Sequence, residues 1–137
     1  MPLFLWKKSY EVNIPEIDAQ HRRLVEIINQ LSDAMMLRQG YKVMPHILEE
    51  LSAYVRLHFA TEEKIMRKMN YPELEEHCQM HIELTQRVLE FRTVYANDHN
   101  LDTKALLDFL CQWLKDHIVV NDKAIGRFLR RLEMGLE

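Results

Sequence analysis

Hydrophobic residues along this chain recur in alternating steps of three and four, and near one end of each such stripe histidines and carboxylates take their place. The stripe from Met44 to Met69 passes through His58 and Glu62 without losing its period. That spacing places the whole set on one face of an α-helix, which a helical bundle buries. Buried imidazoles and carboxylates are costly unless something binds between them, and a pair of metal ions is the natural occupant.

Length and composition predict a single compact helical domain. The chain has 137 residues, of which 47% are hydrophobic and 28% are charged, with few glycines and prolines. A formal charge of -3 gives no attraction for nucleic acid, and the apolar run at residues 3–6 is too short for a signal sequence or a membrane span. Cys78 and Cys111 match no disulfide or metal spacing, so we expect reduced thiols in a cytoplasmic protein.

The stripes predict four helices joined by short connections, which cover about 18–40, 44–69, 73–96 and 102–132. Residues 1–16 should form an extended arm, because Pro15 keeps the residue before it out of a helix. Gly40 is expected to end the first helix, and Pro45 to fall in the first turn of the second. We therefore expect one domain over 1–137, with the bundle at 17–133. Its fold class is all-α, an up-down-up-down four-helix bundle with an extended N-terminal arm.

This topology brings seven polar side chains to one end of the bundle. The starts of the first and third helices and the later parts of the second and fourth share that end, and each carries one or two of them. Scattered core histidines would not lie at one depth, so we interpret the group as metal ligands. They are His21, His58, Glu62, His77, His81, His117 and Asp122.

Neighbouring polar residues receive other interpretations. Asp18 is assigned to the start of the first helix, with a contact to His21 as the alternative. Cys78 adjoins His77 but points about 100° away around the helix, so it is not counted as a ligand. His46 and His99 are expected at the surface.

The fourth helix contains one irregular step in its stripe. His117 and Asp122 are five residues apart, whereas the other steps are of three and four. Positions five apart on a regular α-helix point about 140° away from each other. We therefore predict a π-bulge or a kink between these two residues.

Counting ligands indicates what the site can do. Five imidazoles supply five bonds, two bridging carboxylates supply four, and a bridging solvent oxygen supplies two. The total is eleven of the twelve positions of two six-coordinate ions, so one position stays open for a small ligand. Imidazole with carboxylate, and without thiolate, favours iron over structural zinc.

The ligand spacings resemble those of the hemerythrin family, and the N-terminal run is similar to that of its bacterial branch. The resemblance is carried by His58-x-x-x-Glu62, His77-x-x-x-His81, His117-x-x-x-x-Asp122 and Ile17-Asp18-x-Gln20-His21. It implies a non-haem centre of two iron ions with a bridging oxo or hydroxo group, where O2 binds reversibly as hydroperoxide.

The same resemblance assigns a role to each ligand. His77, His81 and His117 would hold the saturated iron, His21 and His58 the iron with the open position, and Glu62 and Asp122 would bridge. The wall of the O2 pocket would include Phe59, Trp113, Leu114 and Ile118. Some family members have a tyrosine three residues after the bridging aspartate, where this chain has Ile125, which offers no hydrogen bond.

The predicted function is O2 binding for carriage, storage or delivery to an oxidase, by a monomer or weak oligomer without catalytic residues. One alternative is an O2 or redox sensor that acts through a signalling partner. Another is an enzyme, such as a diiron peroxidase or a nitric-oxide-handling protein. An enzyme would need a proton donor at the pocket, whereas the expected lining is apolar.

Overall fold

A computed structural model describes residues 4–97 and 102–135, and the predicted all-helical bundle is confirmed there. A short 3-10 turn at Lys8–Tyr10 precedes the bundle. The helices are α1 (Pro15–Met36), α2 (Gly40–Lys68), α3 (Leu74–Asn97), α4 (Thr103–Trp113) and α5 (Lys123–Glu133), with a π-helical segment (Leu114–Asp122) joining the last two. We call α4, the π segment and α5 together the fourth rod. The predicted surface residue His99 lies outside the described residues.

Helix α1 packs against α2 and α4, and α2 packs against α3. Because short connections join successive helices, neighbours run antiparallel, as expected for an up-down-up-down bundle. None of the helices in the described ranges is long and apolar enough to cross a membrane.

The first helix begins earlier than the sequence suggested. Pro15 occupies its first turn, where the missing N–H is no loss, and Ile14 before it is extended with φ -121°. The expected arm over 1–16 is therefore too long by the first residues of α1. Asp18 lies in the first turn and is not the cap residue. Its carboxylate accepts hydrogen bonds from the backbone N–H groups of Val12 at 2.8 Å and Asn13 at 3.2 Å.

The expectation that Gly40 ends the first helix is wrong. Helix α1 stops at Met36, the chain turns through Arg38 at φ 56°, and Gly40 begins α2. A Cβ at Gly40 would lie 3.1 Å from Cγ2 of Thr103, so the glycine permits a close approach to the start of α4. Pro45 consequently lies inside α2, beyond its first turn.

The arm closes the end of the bundle that holds the histidines. Its buried residues join a small hydrophobic group, here called the floor cluster: Val12, Ile14, Ile17, Met66, Tyr71 and Ile125. Lys123 Nζ donates to the Ser9 carbonyl at 2.6 Å. A Cβ at Gly126 would lie 2.0 Å from the Val12 carbonyl oxygen, so only glycine lets the arm rest directly on α5.

The predicted irregularity of the fourth helix is confirmed and is longer than expected. The π-helical segment begins at Leu114, ahead of His117, and ends at Asp122. Its wider turns absorb the five-residue step, so that His117 and Asp122 are both buried while Val120 between them is 59% exposed.

Candidate metal centre

The predicted ligands form a polar layer between two hydrophobic regions. His21 lies one turn after Ile17 of the floor cluster and one turn before Leu24 of the main core. Glu62 is placed in the same way between Met66 and Phe59. All seven predicted ligands are buried, with at most 3% of each exposed. Four helices thus deliver them to one depth, as the topology predicted.

Asp122 divides the surrounding histidines into two groups. Its Oδ1 lies 3.1 Å from Nε2 of His77 and 3.2 Å from Nε2 of His117. Its Oδ2 lies 2.8 Å from Nε2 of His21 and 3.4 Å from Nε2 of His58. Each oxygen therefore faces one of the two histidine groups that the sequence assigned to separate ions.

Glu62 lies near three of these nitrogens and near Nε2 of His81, and its oxygens do not separate the two histidine groups. Its Oε1 lies 2.9 Å from Nε2 of His58, 3.3 Å from that of His81 and 3.5 Å from that of His117. Its Oε2 lies 3.7 Å from Nε2 of His77. One carboxylate oxygen thus faces both histidine groups.

Two overlapping sets of side chains have ligand atoms within 4.8 Å of one another, which suits two ions. They are Glu62 with His77, His81 and His117, and His58 with Glu62, His117 and Asp122. The first set matches the three histidines predicted for one ion plus a bridging carboxylate. His21 belongs to neither set and enters the layer through its contact with Asp122.

Unpartnered buried atoms test whether the layer fits a metal. The following have no hydrogen-bond partner within the described part of the chain: Nε2 of His58, His77, His81 and His117, both oxygens of Glu62, and Oδ1 of Asp122. Each such atom is costly to bury, and native interiors contain few of them. So many at one depth, all of types that bind iron, fit a dinuclear metal centre.

The charge states of these groups also suit metal binding. Burial lowers the pKa of His117 to about 4 and, with the neighbouring His58, lowers the pKa of His21 well below its usual value. Burial and then Glu62 raise the pKa of Asp122. Burial opposes ionisation of Glu62, but the neighbouring His58, Asp122 and His117 outweigh it and lower the pKa of Glu62. His21 and His117 are therefore neutral at neutral pH, as metal ligands must be.

Two residues that the sequence interpretation missed orient the histidines. Glu63 accepts a hydrogen bond from Nδ1 of His81 at 2.8 Å, and Gln20 accepts one from Nδ1 of His58 at 2.7 Å. Gln20 is itself held, because its amide donates to Thr61 at 3.0 Å. These bonds place the proton on Nδ1 and leave Nε2 free to bind a metal.

A third missed residue is Tyr54, which is buried four positions before His58 on α2. Its ring stacks on the His58 ring at 5.1 Å with an interplanar angle of 19°. The spacing of four places the two on one helix face, which is a signal that the sequence contains.

The four predicted pocket residues are all buried beside the polar layer, in the main core. Phe59 stacks on the His81 ring at 3.9 Å and lies 5.8 Å from the rings of Trp113 and His117. Leu114 and Ile118 are at most 1% exposed. Their part in an O2 pocket stays a prediction.

Comparisons with known proteins agree with this geometry. A family model described as Hemerythrin HHE cation binding domain matches residues 12–129. A bacteriohemerythrin of Stenotrophomonas maltophilia is 32% identical over 90% of this chain and 80% of its own length. One from Clostridium acetobutylicum is 32% identical over 88% and 97%. The crystal structure of a mutant hemerythrin superposes with a TM-score of 0.84 at 25% identity, over 94% of this chain and 98% of the other.

Proposed function

We propose that this chain, which belongs to the hemerythrin family of diiron oxygen-binding or oxygen-sensing proteins, binds O2 reversibly for carriage, storage or delivery in the cytoplasm. The buried set of unpartnered imidazole and carboxylate atoms is the observation that carries this proposal. We also propose that residues 1–137 act as a single domain.

The ligand assignment that we propose keeps the sequence prediction. His77, His81 and His117 would hold one iron, His21 and His58 would hold the other, and Glu62 and Asp122 would be ligands of both. The division of the histidines by the two oxygens of Asp122 supports it. Iron ions held by these residues would supply reversible two-electron chemistry toward a small ligand.

The surrounding residues keep water away and hold the imidazoles in place. Phe59, Leu114 and Ile118 cover the layer from the main core, and the floor cluster covers it from below. Gln20 and Glu63 fix the rings of His58 and His81. A dry and rigid layer favours release of the bound ligand unchanged over its further reaction.

Cycles of oxygenation test this proposal. The iron-loaded protein is reduced without air, exposed to air, and then sparged with inert gas while its visible charge-transfer absorption is followed. We expect a band that appears with air and disappears on sparging through repeated cycles, with two iron ions per chain by metal analysis. One-way conversion to the diferric state would refute reversible binding.

Two buried polar atoms beside the metal centre support the alternative that this protein is an enzyme. The sequence argued against an enzyme because the expected pocket lining was apolar, yet the hydroxyl of Tyr54 and Nε1 of Trp113 are buried there. A diiron peroxidase or a nitric-oxide-handling protein could use such a donor. Turnover of peroxide or nitric oxide by the iron-loaded protein, in place of reversible oxygenation, would favour this alternative.

A further inference from the structure

Tyr54 is a buried aromatic residue whose polar atom the fold does not use. The residue is 6% exposed, with its ring stacked on His58 and the Trp113 ring at 6.0 Å in an edge-on arrangement. Phenylalanine would fill the same space and make the same ring contacts. The hydroxyl is therefore the feature that needs an explanation.

The hydroxyl oxygen is sealed from solvent and has no hydrogen-bond partner among residues 4–97 and 102–135. Burying such a group without a partner costs about 1–3 kcal/mol. Tyr71, the other buried tyrosine at this end of the bundle, has its hydroxyl bonded to Glu73 at 3.4 Å. The two tyrosines thus differ in whether the polypeptide satisfies the hydroxyl.

The surroundings of the hydroxyl point to the polar layer. The phenol of a tyrosine is protonated at neutral pH, so this hydroxyl can donate a hydrogen bond. The ring that carries it stacks on His58, one of the two histidines assigned to the iron with the open position.

We propose that the hydroxyl of Tyr54 donates a hydrogen bond to the small ligand that binds at the open position beside His58. The ligand class is O2 and small anions of its size, such as azide. This inference rests on the proposed function, since it needs a ligand-binding iron at that place. Tyr54 would then hold the ligand, whereas Phe59, Leu114 and Ile118 only enclose it.

Azide binding to the iron-loaded diferric protein tests the proposal. Tyr54→Phe removes the hydroxyl and keeps the ring, and Tyr71→Phe is the matched control. We expect the azide dissociation constant to rise roughly tenfold in the first variant, as for the loss of one hydrogen bond, and to stay unchanged in the second. The infrared stretch of bound azide should shift on transfer to D2O in the wild type and in the control, but not in Tyr54→Phe.

Urea unfolding of the metal-free proteins gives a readout that does not depend on iron. Tyr54→Phe should unfold at the same or a higher urea concentration than the wild type, because it removes an unpartnered buried hydroxyl. Tyr71→Phe should unfold at a slightly lower concentration, because it loses the bond to Glu73. A lower midpoint for Tyr54→Phe would show that the hydroxyl serves the fold, and would overturn the inference.

The outcomes separate this inference from the proposed function. If iron-loaded wild type binds no azide or O2, the proposed function fails and the inference falls with it. If wild type binds azide and Tyr54→Phe binds it equally well, the inference alone is wrong. Equal weakening in both variants would indicate a general loosening of this end of the bundle, and would also overturn it.

Discussion

The same four helices build two regions that differ in almost every physical respect. The main core around Leu51 is aliphatic and aromatic, and its apolar side chains are satisfied by packing against one another. The polar layer one or two turns away is equally buried, yet its imidazoles and carboxylates leave many atoms without hydrogen bonds in the described chain. The first region stabilises the fold, and the second is held in place by it.

The contrast shows how a small bundle can keep an unfavourable site. Hydrophobic residues flank the polar layer on both sides along each helix, so the helices cannot rotate the histidines outward without exposing the core or the floor cluster. Burying one such aliphatic side chain contributes about 1.5–3 kcal/mol. The polar layer is thus preorganised for metal by packing that lies outside it.

Loading with iron should give the largest effect, because it satisfies the polar layer and leaves the main core unchanged. At a free iron concentration 1,000 times the dissociation constant we expect about 4 kcal/mol of added stability. For a chain of this size that corresponds to roughly 15 °C in the thermal midpoint. Calorimetry of metal-free and iron-loaded protein measures it, and equal midpoints would show that the layer does not bind iron in the folded state.

A pair of substitutions compares the two regions directly. Leu51→Ala in the main core should cost about 3 kcal/mol in metal-free and iron-loaded protein alike, because it leaves a cavity. His81→Leu in the polar layer should change metal-free stability by less than about 1 kcal/mol, because removing the unpartnered Nε2 offsets the loss of the hydrogen bond from Nδ1 to Glu63, and it should lower iron content.

Urea unfolding measures the stability of both variants, and metal analysis measures their iron content. A large loss of metal-free stability in His81→Leu would mean that the polar layer supports the fold, contrary to the contrast drawn above.

Acid should weaken the metal-free polar layer. The pKa of His117 is about 4 in the folded chain against 6.5 for an ordinary imidazole, so the unfolded chain binds more protons between these values. Stability therefore falls as pH drops through this window. His21, with its lowered pKa, acts in the same direction, and Asp122, with its raised pKa, opposes it.

The pKa shift of His117 alone corresponds to a loss of about 2 kcal/mol between neutral pH and pH 5. Urea unfolding at neutral pH and at pH 5 measures it, and iron-loaded protein should lose its stability only at lower pH, because bound metal competes with protons. A metal-free stability that stayed constant or rose on acidification would contradict the pKa directions given for the histidines.

The smallest expected effect concerns the hydrogen bonds that orient the rings. Glu63→Gln keeps a similar shape but replaces the carboxylate that accepts from Nδ1 of His81. We expect iron to bind roughly tenfold more weakly, as when such supporting partners are removed elsewhere. Glu90→Gln, at an exposed pair with Arg87, is the control and should bind iron normally. If both variants bound iron with the same affinity, the hydrogen bond from His81 to Glu63 would contribute nothing to metal binding.

Much of the fold was predictable because it follows from periodicity. Steps of three and four indicated the buried face of each helix, and the step of five between His117 and Asp122 predicted the π segment. The boundaries were less predictable. Pro15 and Gly40 can each stand at either end of a connection, and the close approach of Gly40 to Thr103 at the start of α4 is a tertiary contact that the sequence pattern does not reveal.

Periodicity alone could not predict which residues orient the histidines of the site. Gln20 and Glu63 are adjacent in sequence to predicted ligands, but each orients a histidine on a different helix, so the contact depends on how helices pack. Tyr54 shares a helix face with His58 and could have been placed near the site. Its hydroxyl becomes informative only when the surrounding residues are seen to leave it without a bond.

The contact between Gly126 and the carbonyl of Val12 joins two positions separated by nearly the whole length of the chain. During synthesis the early segment leaves the ribosome long before its glycine partner has been made. Contacts of such long range close late in folding, because the entropy of bringing distant segments together must first be overcome. We therefore expect the underside of the histidine layer to be among the last surfaces to close during folding, and iron to enter most easily before it does.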